Sequence, residues 1–161
     1  MSNYGDVFLT WFDVPMTINK EQSVRLYETV KKLQPDCLIN SRIGNGVYDY
    51  VSLGDNEIPS SKEQWQALLA SKSENIDYRN IDAFKPSPYG LYESACTLNH
   101  SWGFSYHDRD YVSPEQLYKN KKHLGDLGIN YLINIGPDPL GRLPVECIDI
   151  LRAVAEMEKN H

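Results

Sequence analysis

The chain has 161 residues, 41% of them apolar and 24% charged, with 16 basic against 22 acidic side chains for a formal charge of −6. That is enough apolar chain for a folded core, which excludes intrinsic disorder, a disulfide-stapled miniprotein and a coiled coil. The acidic balance, with no basic cluster beyond Lys119, Lys121 and Lys122, argues against nucleic acid; no apolar run approaches the roughly 20 residues of a membrane span, and the length falls short of the about 250 residues of a whole (β/α)8 barrel.

In chain order, the first strand is expected over Val7 to Phe12. A helix follows over Lys20 to Leu33, where Val24, Tyr27, Val30 and Leu33 or Leu26 share a face and Pro35 stops it. Cys37 to Ser41 reads as a second strand, and Ile43 to Pro88 as a long insertion with a helix around Lys62 to Ala70, closing on the loop Lys85-Pro86-Ser87-Pro88. Leu91 to Thr97 is a third strand. Ser113, Pro114 and Gln116 have the pattern of an N-cap, a first-turn proline and a capping-box partner, ahead of Leu117, Leu124 and Leu127 and a stop at Gly128. Tyr131 to Ile135 is the fourth strand, and Val145 to Lys159 a last helix with Ile148, Leu151, Val154 or Ala155 and Met157 as its core stripe. Strands alternating with helices predict an α/β protein with a parallel sheet, read as one domain over residues 1–161.

Cys37, Cys96 and Cys147 are odd in number and far apart, and are expected to be buried, reduced thiols. The four histidines lack ligand spacing, so a metal site is not expected. The N-terminus lacks the basic and apolar regions of an export signal, which favours a cytoplasmic location.

Ligands of parallel α/β proteins sit at the carboxyl ends of the strands. The first strand ends in Trp11-Phe12-Asp13, the second in Asn40-Ser41-Arg42, the third leads into Asn99 to Phe104 with Trp102-Gly103 inside it, and the fourth ends in Asn134 to Asp138. Acids, an amide, a guanidinium and aromatic faces on one rim are the inventory of a carbohydrate site, and two carboxylates are what glycoside hydrolysis needs. Each residue has a plainer reading: Asp13 as a cap or ion-pair partner, Arg42 as a structural ion pair, Trp102 as a core aromatic at a tight turn.

Four blocks in register, Tyr4 to Asp13, Gln34 to Arg42, Tyr92 to Phe104 and Leu132 to Pro144, together resemble the α-L-fucosidase family, glycoside hydrolase family twenty-nine. The resemblance implies a retaining exo-glycosidase acting on terminal α-L-fucose through a covalent intermediate, with no metal or cofactor. By the same resemblance Asp13 is the nucleophile, Arg42 holds fucose beside it, and Trp11 and Trp102 are aromatics of the fucose pocket. The general acid/base falls in the loop Tyr50 to Pro59, where Asp55 is the first candidate, Glu57 the second, and the strand acid Glu93 a third. Retention requires the two carboxyl groups to stand about 5–5.5 Å apart.

The family's domain is a (β/α)8-like barrel, and the nucleophile strand, about the fourth there, is the first here. The expected fold is therefore the second half of such a barrel. Such a half sheet exposes edges and an inner face, so it is expected to rearrange, form a homo-oligomer or recruit a complementary barrel half, and to have little or no fucosidase activity alone. The expected partner is a fucosylated glycan or fucoside. Two other readings are a non-catalytic fucose-binding half-barrel and a flavodoxin-like domain; Val14-Pro15-Met16-Thr17 is a poor phosphate loop for the latter.

Overall fold

In the computed structural model the described residues are 1–15, 17–74 and 86–160, with 71–74 described by backbone alone; Met16, Lys85 and His161 of the segments above lie outside them. The described residues form β1 (Leu9–Thr10), α1 (Lys20–Leu33), β2 (Leu38–Ile39), β3 (Val51–Ser52), α2 (Lys62–Glu74), β4 (Tyr92–Thr97), α3 (Pro114–Asp126), β5 (Asn130–Asn134) and α4 (Val145–Lys159). The chain divides into two compact units: Met1–Ser52 with Pro59–Glu93, and Leu53–Ile58 with Ser94–His161.

In unit one β1 pairs in parallel with β2, Leu9 opposite Leu38 and Thr10 opposite Ile39. Asn40 bridges in parallel to Tyr50, and β3 pairs in parallel with the start of β4, Val51 opposite Tyr92 and Ser52 opposite Glu93. The segment expected to be an insertion between strands thus contains a strand. Tyr50, Val51 and Ser52 are all buried, as in a strand covered on both faces, but two ladder residues ending in a serine give neither an apolar run nor an alternation.

Helix α1 begins at Asn19, whose side chain accepts from Gln22 N while Gln22 Oε1 accepts from Asn19 N, both at 2.9 Å, a complete capping box. Its inward face is Ser23 and Val30, with Val24 and Tyr27 half-buried, whereas Leu26 and Leu33 are exposed. The buried serine is satisfied: Ser23 Oγ donates to Ile43 O at 3.0 Å and accepts from Asn45 Nδ2 at 2.8 Å. Below it Asp49, fully buried, accepts from Tyr27 OH at 2.7 Å and Ile39 N at 2.9 Å and pairs with Lys31 Nζ at 2.7 Å. A buried carboxylate is tolerated when paired in this way. Burial, and then the Asp49 carboxylate, push the Tyr27 hydroxyl far above its ordinary range. Helix α2 runs past the expected Ala70, and its Trp65 ring meets Tyr92 edge-on at 5.0 Å.

In unit two the end of β4 lies beside β5, and Leu98, Leu117, Cys147, Ile150 and Val154 form a core joined by Tyr131, Ile133 and Ile135. Ser113 caps α3 by accepting from Gln116 N at 3.2 Å, but the Gln116 side chain donates to Asn120 at 2.6 Å, so the box expected there is only half formed. Gly128 (φ +77) ends α3, its N–H bonded to Gly125 O and that of Ile129 to Leu124 O, both at 2.9 Å. That double bond is a Schellman stop, which needs a left-handed residue. On α4 the buried stripe is Cys147, Ile150 and Val154, with Met157 half-buried; Leu151 and Ala155 face outward. The expected stripe holds at Val154 and Met157, while its first two positions fall one residue earlier, on Cys147 and Ile150 rather than Ile148 and Leu151. All three cysteines are buried and unbridged.

Candidate functional site

Unit one gathers Trp11, Asp13, Arg42 and Glu93. After Thr10 the ladder of β1 ends, and the Asn40 side chain takes over as a rung: its Oδ1 accepts from Phe12 N and its Nδ2 donates to Phe12 O, each at 2.9 Å. Asn40 is fully buried. Its backbone meanwhile bridges to Tyr50, so this one residue ties the end of β1 to the start of β3. Past the rung, Val14 sits at φ +54, a left-handed conformation that a β-branched residue adopts only under constraint. Asp13, between the rung and the strained residue, leaves its carboxylate about half exposed (48%).

Arg42 faces it from the 3-10 turn Ser41–Ile43. Its Nη1 meets Asp13 Oδ1 at 3.3 Å, its Nε donates to Ser52 Oγ at 3.2 Å, and the guanidinium lies 4.7 Å from the centre of the Trp11 ring. Ser52 is held in turn, its N–H donating to Ser41 Oγ at 3.0 Å. The indole is fixed at its far end, where Trp11 Nε1 donates to Glu93 Oε1 at 2.8 Å. The other Glu93 oxygen accepts from Tyr50 OH at 3.4 Å, and Glu93 is buried. Burial first, and then the Glu93 charge, push the Tyr50 hydroxyl far above its ordinary range. Glu93 is thus spent on holding Trp11. A cleft lined by Phe12, Asp13, Pro15, Arg42 and Ile43 opens beside the carboxylate.

Unit two holds Asp55, Glu57 and Trp102. Asp55 lies exposed in the turn after β3. Its neighbour Asn56, at φ +56, donates its N–H to Ala95 O at 2.9 Å and accepts from Thr97 N at 3.0 Å, pinning the turn to β4. Glu57 folds back instead: its Oε2 accepts from Gly54 N at 2.5 Å, and a Cβ on Gly54 would meet that carboxyl at 2.5 Å. Of the two loop acids, Glu57 closes the turn and Asp55 is the more exposed. Trp102 is 40% exposed. Its carbonyl accepts from Asn134 Nδ2 at 2.7 Å, while Thr97 Oγ1 donates to Ser101 O at 3.0 Å. Gly136 passes so close that a Cβ there would stand 2.4 Å from the Gly103 carbonyl carbon. Asp138, at the end of the last β/α connection, caps its own loop through Leu140 N, Arg142 N and the Arg142 guanidinium at 2.8–2.9 Å. Among the described residues no three His, Cys, Asp or Glu side chains gather as a metal would require.

Sequence reasoning placed Asn40 on the rim only as an amide. Its role as a rung depends on the β1–β2 register, which no local pattern carries. Fold and site together define an α/β protein with parallel strands whose carboxyl ends present a carboxylate, a guanidinium and an indole in contact. The family model for α-L-fucosidase matches residues 1–161, and the chain belongs to that family. Among solved structures it is similar to the α-L-fucosidase AlfC from Lactobacillus casei in complex with α-L-fucose product, at 53% identity and TM-score 0.78, covering 99% of this chain and 42% of that one. A variant of AlfC in complex with Fuca(1,6)GlcNAc is 49% identical with TM-score 0.77, over 99% and 41%. The α-L-fucosidase isoenzyme 1 from Paenibacillus thiaminolyticus is 29% identical with TM-score 0.72, over 98% and 36%. The chain therefore spans about two fifths of the length of these relatives. No curated protein matches it. Family membership sets aside the flavodoxin-like reading.

Proposed function

We propose that the chain carries the nucleophile, the general acid/base and part of the sugar pocket of a retaining α-L-fucosidase, built on the second half of a (β/α)8-like barrel. The parallel pairing of β1 with β2 and of β3 with β4 supports that fold, as does the strand–helix alternation. The observation that carries the function is the contact of Asp13, Arg42 and Trp11. An exposed carboxylate steered by a guanidinium is equipped to attack an anomeric carbon, and guanidinium N–H groups suit sugar hydroxyls.

In the first step Asp13 attacks C1 of the fucosyl group as Asp55, entering protonated, gives its proton to the departing oxygen. In the second, Asp55 takes a proton from water, whose oxygen attacks C1 and releases Asp13. Asp55 is preferred to Glu57, whose carboxylate closes its own turn, and to Glu93, which is buried against Trp11. Trp11 and Trp102 supply apolar faces to the sugar. The complexes of AlfC with fucose and with Fuca(1,6)GlcNAc support a fucosylated glycan as the substrate class.

Because the solved relatives are more than twice as long, residues 1–161 alone are proposed to bind fucose weakly and to turn over an aryl α-L-fucoside slowly or not at all. Ligand-observed NMR of the purified chain with methyl α-L-fucopyranoside tests the reading. Binding that disappears in Arg42→Ala is expected; binding that persists unchanged in that variant would contradict the site.

A further inference from the structure

We propose that Phe104 and Tyr106 form an aromatic platform for the sugar to which the fucose is attached, a neutral pyranose presenting an apolar ring face; this rests on the fucose-site reading above. Tyr106 is 66% exposed, and the half-buried Phe104 packs against it in a T-shaped pair, ring centres 4.7 Å apart and planes at 84°. A single exposed aromatic is ordinary. Here the exposed ring is braced edge-on by a second aromatic, on a connection that is tied down along its length.

The ties run through the whole segment between β4 and α3. Ser101 Oγ donates to Asp108 Oδ2 at 2.6 Å, and Asn99 Nδ2 reaches Asp108 O at 3.4 Å, so the loop closes on itself. Val112 N bonds Leu98 O at 2.8 Å at its base. Arg109 Nε donates to Tyr106 O at 3.3 Å while its Nη1 pairs with Glu146 on α4 at 2.7 Å, which fixes the backbone of Tyr106 against a helix. A ring held this way loses little freedom when a ligand lands on it.

Trp102, the aromatic assigned to fucose, stands four residues before Tyr106 in the same connection. Four residues of chain span at most about 14 Å, so a sugar on Trp102 and its neighbour in the same glycan lie within reach of one loop. The platform offers ring faces rather than charge, which selects a neutral ring over an anionic group. It has no part in bond cleavage; its work is to add affinity for the departing sugar.

The test uses the purified chain and two glycosides, methyl α-L-fucopyranoside and an α-L-fucosyl-N-acetylglucosamine disaccharide, with affinities read by ligand-observed NMR. The disaccharide is expected to bind about threefold to tenfold tighter, the range for an added aromatic contact. Tyr106→Ala should erase that ratio while leaving the monosaccharide affinity unchanged, and Tyr106→Phe should keep it. A circular dichroism melt shows that the alanine variant is folded. A disaccharide that binds no tighter than the methyl fucoside, or a ratio unmoved by Tyr106→Ala, overturns the platform alone. Failure of both glycosides to bind overturns the fucose site and the platform with it.

Discussion

The side chain of Asn40 grips Phe12 at both ends of its peptide character, accepting from its N–H and donating to its carbonyl at 2.9 Å each. An amide side chain thereby supplies the rung that the β1–β2 ladder lacks after Ile39. Removing it strands a backbone donor and a backbone acceptor in a half-buried site, where an unsatisfied group that water does not reach costs about 1–3 kcal/mol. Asn40→Ala is expected to lower unfolding stability by roughly 2–4 kcal/mol, read by urea denaturation; a loss below about 0.5 kcal/mol, the scale of an ordinary surface change, would show the rung to be dispensable.

Glu93 gives the Trp11 indole a polar anchor, at 2.8 Å. Glu93→Gln preserves an acceptor for the indole and a donor toward Tyr50, whereas Glu93→Ala leaves the indole N–H without that partner. Tryptophan emission should therefore shift in Glu93→Ala and stay near the parent spectrum in Glu93→Gln. Equal spectra for both variants would separate the carboxylate from the ring's position.

Two glycines should respond with opposite sign. Ala at Gly136 would place its Cβ 2.4 Å from the Gly103 carbonyl carbon, which is backbone and cannot swing away; a loss of about 1–3 kcal/mol is expected. Gly125 lies inside α3 with nothing within 4 Å, so Gly125→Ala should add up to about 1 kcal/mol through helix propensity. Thermal melts of the two variants give both signs in one experiment.

The Asp138 carboxyl is held below its usual range, first by the backbone N–H of Arg142 and then by the Arg142 side chain. A carboxyl lowered on folding stabilises the folded state above its unfolded pKa of about 3.9, and the contribution fades as pH falls through the lower folded value. Asp138→Asn should therefore melt below the parent at neutral pH, and the gap should close as the medium is acidified below about pH 4. A gap that widens on acidification would have the wrong sign.

Much of the helical framework was legible in the sequence because its signals are local. Ser113-Pro114 and Gly128 mark both ends of α3, and Pro35 follows the end of α1. What escaped depends on distant partners. Strand β3 is only two ladder residues, recognisable once Tyr92 and Glu93 lie beside it. The start of the α4 stripe falls on Cys147 and Ile150 because these positions meet Leu98 and Leu117, which lie far away in the sequence. Ser23 reads as polar surface until Ile43 O and Asn45 are brought to it. At the site, residue types placed Asp13, Arg42 and Trp11 on one rim, whereas the bond of Glu93 to the Trp11 indole spans 82 positions and has no local signal.

The central claim is that the Asp13 carboxylate is the nucleophile, bonded through oxygen to C1 in a covalent fucosyl intermediate. A slow chain still needs to react only once per molecule, so the direct measurement is trapping: prolonged incubation with a fluorinated α-L-fucosyl fluoride, followed by peptide mass spectrometry. A fucosyl adduct on Asp13, absent in Asp13→Asn, is the expected result; an adduct on Asp55, Glu57 or Glu93 in its place would contradict it.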